Sequence, residues 1–378
     1  MLAYMAFAPS VIGPMMPFLR SELHLNYTMG GLLLSTLALG MVLAGLIGDR
    51  IARRFGRRYV FWYGAVGASF GATCLAFSRS AMIGLPAVFI MGFCAGLVQV
   101  MIQAILVDLH GENQTIALLE ANIAASISTC LAPFIVGGFQ RFGLGWRSGL
   151  FLVVVFLILL ICNYWFVPIP HPGLKSQASN NIRMGKLPLI FWIYWVIVFL
   201  VVSIEWCMNV WGADFMVSVL GIEKINASVI MSGFLGTYVI GRVIGSRLSR
   251  IMKSRNLLLL SLAFTFVGFP LFWLGRLPYL YLPGLFIVGF GVANLYPLTM
   301  SLAIGIVSEQ SNLASARVSL SAGTAIFIAP LVLGWLADRI TILNSYAVVI
   351  VLILVALISS VWIGSIQLRK FTDNMPGA

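Results

Sequence analysis

Charge is what this chain has least of. Only 9% of its 378 residues are Asp, Glu, Lys or Arg, where soluble proteins carry about a quarter. Acids are scarcest, eleven in all, and there are three histidines (His24, His110, His171), each in an expected loop. That poverty excludes an ordinary soluble domain. It also leaves no Ser/His/acid set, no nucleotide-cradling loop and no His/Cys/acid cluster at metal-ligand spacing. Five cysteines (Cys74, Cys94, Cys130, Cys162, Cys207) all fall inside apolar runs. They offer neither a disulfide framework nor a zinc site and read as small core residues. No enzyme chemistry, cofactor or metal is expected.

What the chain has in excess is apolar length. It is 61% hydrophobic, with mean hydropathy +1.02. Backbone groups in lipid must be satisfied internally, which leaves helices or a closed barrel. Barrel strands alternate apolar and polar residues. Here the runs are continuous and roughly 20 residues long, enough to cross a bilayer as helix. Spans are expected near 1–19, 29–49, 59–78, 82–107, 115–139 and 146–167, then 188–219, 226–246, 256–275, 279–306, 312–336 and 344–366. The first has no basic lead or cleavage site before Arg20 and reads as a retained span.

The formal charge of +12 suggests nucleic acid only until its placement is read. With both termini on one face, that face holds the arginines from Arg50 to Arg58, Lys175, Arg183, Lys186, Arg247, Arg250, Lys253, Arg255, Arg369 and Lys370. The other holds half as many: Arg20, Arg79, Arg141, Arg147, Lys224, Arg276 and Arg339. This is the positive-inside pattern, so the termini are expected in the cytoplasm. The basic residues report topology, and no nucleic-acid partner is expected.

The chain also repeats itself at an offset of 197 residues. Gly48-Asp49-Arg50-Ile51-Ala52-Arg53 matches Gly245-Ser246-Arg247-Leu248-Ser249-Arg250. Phe89-Ile90-Met91-Gly92-Phe93 matches Phe286-Ile287-Val288-Gly289-Phe290, and Ala132-Pro133 to Gly137 matches Ala329-Pro330 to Gly334. Three matches at one offset, in one order, mean two copies of one unit. A polar stretch with Pro168, Pro170, Pro172, Asn180 and Asn181 falls where the copies join. The expected domains are 1–167, a 168–187 cytoplasmic linker, and 188–378. The expected fold is an all-α membrane protein of twelve helices in two pseudo-symmetric six-helix bundles. Duplicated bundles of this kind are the architecture of secondary transporters, with the substrate site between the copies.

At this point the residues resemble the major facilitator superfamily. The family has a Gly/Asp/Arg-rich signature between its second and third helices, where this chain has Gly45-Leu46-Ile47-Gly48-Asp49-Arg50-Ile51-Ala52-Arg53-Arg54-Phe55-Gly56-Arg57-Arg58. A weaker echo, Gly241-Arg242-Val243-Ile244-Gly245-Ser246-Arg247-Leu248, occupies the matching loop of the second half. The resemblance implies a gating role for Asp49, Arg50, Arg53, Arg57, Arg58 and Arg247. The usual spacing puts the acid three residues before the second glycine, whereas Asp49 precedes Gly56 by seven, so Arg53 takes that position. Two readings stand for the cluster, a conformational latch and a solvated loop that anchors topology. The Gly-Pro signature of drug-exporting branches is degraded at Ala132-Pro133, which weakens the case for efflux.

An ionised side chain at mid-bilayer costs at least about 2.5 kcal/mol on insertion scales, so it needs a partner, a cavity or a function. Glu205, in Ser203-Ile204-Glu205-Trp206-Cys207-Met208-Asn209, is the deepest such acid. Asn209 lies one turn on, on the same face. The segment resembles that of proton-coupled sugar permeases, which makes Glu205 a candidate proton carrier; a hydrogen-bonded structural glutamate is the plain alternative. Glu120 and Arg317 are equivalent under the offset. They can close the cytoplasmic entrance as an ion pair, or serve as proton carrier and anion site, or each meet loop groups alone. Asp108, beside His110, Glu112 and Asn113, reads as a wet helix end. Asp214 and Asp338 are expected to meet water or a neighbouring arginine near the outer ends of their spans.

Gln99, Gln103, Trp206, Asn209, Trp211, Tyr238, Asn294, Tyr296 and Arg317 complete the candidate substrate pocket, amides and indoles suiting a polar organic solute. Aromatic residues that fill helix crossings are the plain alternative. The expectation is a monomeric symporter of the inner or plasma membrane, driven by protons and working by alternating access. Proton-driven efflux of drugs or metabolites is the alternative, and a transport-dead receptor stays open.

Overall fold

The structure is a computed structural model that describes residues 1–110, 114–167, 187–307 and 310–373. The expected linker lies outside the described residues except for its last position. Among the described residues every regular element is a helix. We number twelve: α1 (Leu2–Leu23), α2 (Tyr27–Phe55), α3 (Arg57–Phe77), α4 (Ala81–His110), α5 (Gln114–Arg141), α6 (Ser148–Tyr164), α7 (Leu189–Leu220), α8 (Lys224–Leu248), α9 (Ser254–Leu274), α10 (Pro278–Gly305), α11 (Ser311–Ile340) and α12 (Ala347–Asp373). Eleven stretches are long and apolar enough to cross a membrane, and α6 is a shorter apolar helix. The expected all-α, twelve-helix fold is what the chain adopts.

The duplication reaches down to single atoms. A Cβ placed on Gly71 would lie 2.6 Å from the Met91 amide nitrogen and 2.7 Å from the Ala87 carbonyl oxygen. A Cβ on Gly268 would lie 2.8 Å from the Val288 nitrogen and 2.9 Å from the Gly284 oxygen. Adding 197 to 71, 91 and 87 gives 268, 288 and 284. In the same way Gly92 abuts the carbonyl of Leu37, and Gly289 that of Phe234. Each of these glycines lets two helix backbones touch, the packing that lipid favours because apolar side chains gain nothing there by leaving it. The neighbour pattern repeats too: α3 packs on α4 and α6, and α9 on α10 and α12.

The chain forms two compact units, and their boundaries differ from the two sequence halves. The first comprises residues 1–181, 209–233 and 330–342; the second comprises 182–208, 234–329 and 343–378. The first unit thus gathers the facing ends of α7, α8 and α11 onto the N-terminal helices. This end, which bears the α1–α2 and α7–α8 connections, is called distal below.

Side-chain chemistry explains the gathering. Arg20 of α1 is ion-paired with Asp214 of α7, both nearly buried, and its guanidinium lies 3.3 Å from the centre of the Tyr27 ring. Asp338 of α11 accepts from the backbone nitrogens of Tyr27 at 2.8 Å and Thr28 at 2.7 Å. It thereby satisfies orphan amides at the start of α2 and places negative charge at the positive end of the helix dipole. Trp211 is fully buried. Its indole donates to the Pro330 carbonyl at 2.9 Å and occupies room left by Gly30 and Gly334. Lys224 reaches Ser21 at 2.6 Å, and Ser228 donates to the Pro14 carbonyl at 3.0 Å.

Candidate functional site

In the second unit, α7 and α8 bring three polar side chains together in an apolar setting. Tyr238 donates from its hydroxyl to Glu205 Oε1 at 2.8 Å. The same hydroxyl accepts from Arg242 Nη2 at 2.7 Å. Tyr238 and Arg242 stand one turn apart on α8, and the guanidinium also lies 4.6 Å from the centre of the tyrosine ring. Carboxylate and guanidinium are therefore joined through one buried hydroxyl.

Position along the helices sets the depth of this chain. Glu205 sits near the middle of the 32-residue α7, roughly 23 Å from either end at 1.5 Å per residue. A full charge at that depth would be severely disfavoured alone. The arrangement supplies each charge with a hydrogen bond and nearly cancels the pair.

A proline supplies the third anchor. Arg242 Nε donates to the carbonyl of Ala293 at 3.4 Å. Pro297, four residues on, has no N–H to give that carbonyl, so the helix leaves it free. The α10 stretch breaks here, between Val292 and Leu295. Beside the break, Asn294 is buried and donates to the Gly241 carbonyl at 2.8 Å. Its amide fills the space where Gly245 lacks a side chain. Asn294 thus clamps α10 to α8, and Tyr296, half-buried, follows it on α10.

The other expected pocket residues are placed as follows. Trp206 and Asn209 are half-buried on α7, Asn209 falling in the first unit. Trp211 belongs to the distal packing described above. Gln99 is half-buried and Gln103 exposed on α4, and Glu120 is exposed on α5, all in the first unit. Arg317 of α11 is exposed in the second unit, where its carbonyl accepts from Trp195 Nε1 at 2.8 Å.

The arginine-rich turn after α2 is sorted by its partners. Asp49 and Arg53 pair at 2.7 Å across one turn of α2, both well exposed. Arg57 is ion-paired with Asp108 at the end of α4. Arg58 donates to the Trp165 carbonyl at 2.6 Å, tying the turn to the end of α6. Arg50 and Arg54 are exposed, as is Arg247 at the end of α8. Asp108 is exposed at the end of α4, with its carboxylate held against the Arg57 guanidinium. Glu112 and Asn113 lie outside the described residues.

Two functional candidates escape sequence reasoning. Arg242 reads as part of the loop echo that begins at Gly241, although it falls within the expected span 226–246. The signal that could have found it is a tyrosine and an arginine at helical spacing in an apolar run. Asp108 and Arg57 are 51 positions apart, and nothing local marks them as partners.

Similarity to known proteins agrees with this architecture. No curated protein is significantly similar in sequence. Among solved structures, a point mutant of the nucleoside transporter NupG superposes with TM-score 0.78 at 15% identity, covering 96% of this chain and 97% of that one. A bacterial homologue of the human lysosomal transporter Spinster, inward-facing and unoccupied, gives 0.77 at 14% identity, covering 97% and 95%. The sequence profile of the major facilitator superfamily matches residues 1–223 and again 194–370. With the profile spanning both copies and the fold shared end to end, the chain belongs to the major facilitator superfamily.

Proposed function

We propose that this transporter is a proton-coupled symporter of a small polar organic solute, working by alternating access. The observation that carries the reading is the Glu205–Tyr238–Arg242 chain at the middle of α7. With Glu205 ionised, the Tyr238 hydroxyl is committed to it and Arg242 has a nearby counter-charge. A proton on Glu205 removes that charge and turns the carboxyl into a hydrogen-bond donor. Tyr238 and Arg242 are then free to engage a solute. Transfer of the proton to the opposite compartment restores the chain and releases the solute.

Around this centre the remaining residues take supporting roles. Glu120 is a second proton carrier; Trp206, Tyr296 and Arg317, in the same unit as Glu205, contact the solute, with Asn294 setting the break in α10. The turn holding Asp49, Arg50, Arg53, Arg57 and Arg58, with Arg247, gates the face that bears the termini. By the positive-inside pattern that face is cytoplasmic, in an inner or plasma membrane. The protein works as a monomer.

The test is uptake in proteoliposomes under an imposed inward proton gradient, after a thermal-shift screen of sugars, carboxylates, amino acids, nucleosides and lipophilic cations. Nucleosides enter the panel because NupG transports them. Glu205→Gln should abolish gradient-driven accumulation while leaving solute exchange at equal pH. Accumulation that survives in Glu205→Gln overturns the reading. Stabilisation by lipophilic cations alone would transfer it to efflux.

A further inference from the structure

Five arginines crowd the junction of α2 and α3, and their partners divide them. Arg53 is taken by Asp49, Arg57 by Asp108 and Arg58 by the Trp165 carbonyl. Arg50 and Arg54 have no carboxylate partner among the described residues. They stand one turn apart on α2, both exposed.

Directly beside Arg54 is a groove of about 610 Å³ inside the first unit, bounded by α2, α3 and α4. Ile51 and Phe55 form one wall, Tyr59 and Tyr63 the other, and Cys94 and Leu97 the floor. The two tyrosine rings are stacked, 6.0 Å apart and 11° from parallel. They are also among the most exposed aromatics of the chain, at 60% and 68%. Gly64 lets α3 pack closely on α4 under the groove, since an added Cβ would lie 2.8 Å from Val98 Cγ2. The Arg54 guanidinium lies 5.5 Å from the Phe55 ring centre, and Arg54 follows Ile51 by three residues, so it flanks the groove's own helix stripe.

We infer that this groove is a binding site for an anionic phospholipid. One acyl chain lies along Tyr59 and Tyr63, and the phosphate is held by Arg54 with support from Arg50. Three features select this occupant. The walls are apolar and lie at the level of apolar helix, so the occupant needs a hydrocarbon part. The open end carries two guanidiniums without counter-charge, which suit a phosphate better than a zwitterion. The other three arginines already have partners, so among the described residues Arg50 and Arg54 are the pair left for a ligand. Basic residues next to a membrane helix attract anionic headgroups even without a groove. The groove adds chain contact and a defined stoichiometry.

Native mass spectrometry of the detergent-purified full chain tests this, titrating phosphatidylglycerol against phosphatidylcholine of the same acyl chains. The expected result is one phosphatidylglycerol per protein, bound roughly tenfold more tightly than phosphatidylcholine. Arg54→Gln, a change on an exposed position, should bring the two lipids to equal affinity. Tyr63→Ala should weaken both lipids without changing their ratio. Equal binding of the two lipids by the wild-type chain overturns the proposal, as does a preference that survives in R54Q. So does a protein dimer that phosphatidylglycerol fails to displace, since it would put a second copy in the groove.

Discussion

The two copies share their helix crossings and differ in their chemistry. Gly71 and Gly92 recur as Gly268 and Gly289, with the same backbone atoms opposite them. The three members of the polar chain do not recur. At the positions of Glu205, Tyr238 and Arg242, the first copy has Ala8, Met41 and Gly45. Ala8 is fully buried among apolar neighbours, and nothing stands within 4 Å of a Cβ on Gly45. Backbone contact is a requirement of the fold, so both copies keep it. A charge in lipid needs a partner close by, and at these three positions only the second copy supplies one.

Four measurements break or sharpen this contrast. The largest effect belongs to the shared glycines. A Cβ at position 92 or 289 falls against a carbonyl of the neighbouring helix; ordinary overpacking costs about 1–3 kcal/mol, and valine sets three carbons against backbone that cannot yield, so the helices must part. Gly92→Val and Gly289→Val should each fail to elute as a monodisperse peak, whereas Gly45→Val should behave as wild type. Equal tolerance at all three would show that the recurring contacts are incidental.

Next comes the distal ion pair. Asp214→Asn strands the nearly buried Arg20 guanidinium, and removing one member of such a pair typically costs about 3–5 kcal/mol. A large drop in melting temperature is expected. Replacing both residues with apolar ones should restore much of it, because no charge is then left unpaired.

Tyr238→Phe should follow. It removes the hydroxyl that serves both Glu205 and Arg242, leaving two half-buried groups short of a partner, about 1–3 kcal/mol. Proton-driven uptake should fall with it, while Met41→Tyr in the first copy should alter neither stability nor coupling. The smallest effect is at the exposed Asp49–Arg53 pair. Asp49→Asn should shift stability by at most about 0.5 kcal/mol, so any larger change in transport rate would report gating rather than folding.

Much of the fold can be read in the chain because lipid imposes long apolar runs and duplicated crossings keep their glycines. Glu205 stands out for the same reason, a lone acid in a run of valines, leucines and isoleucines. The rest depends on pairings between distant segments. Trp211 has the composition of a stacking residue, and only the glycines at 30 and 334, far off in sequence, make its place a packing site. Arg242 is obscured by its neighbours, since Gly241 and Gly245 carry the loop echo and draw the arginine with them. Asp338 gives no sign in the sequence that it finishes the first turn of α2.

That last contact has a practical consequence. The Tyr27 and Thr28 amides are bonded to a carboxylate on α11 rather than to their own helix. Hydrogen–deuterium exchange at these two sites is therefore a clock for the α2–α11 junction. Fast exchange would record each moment the junction parts, and slow exchange its dwell time shut, without a label, a solute or a gradient.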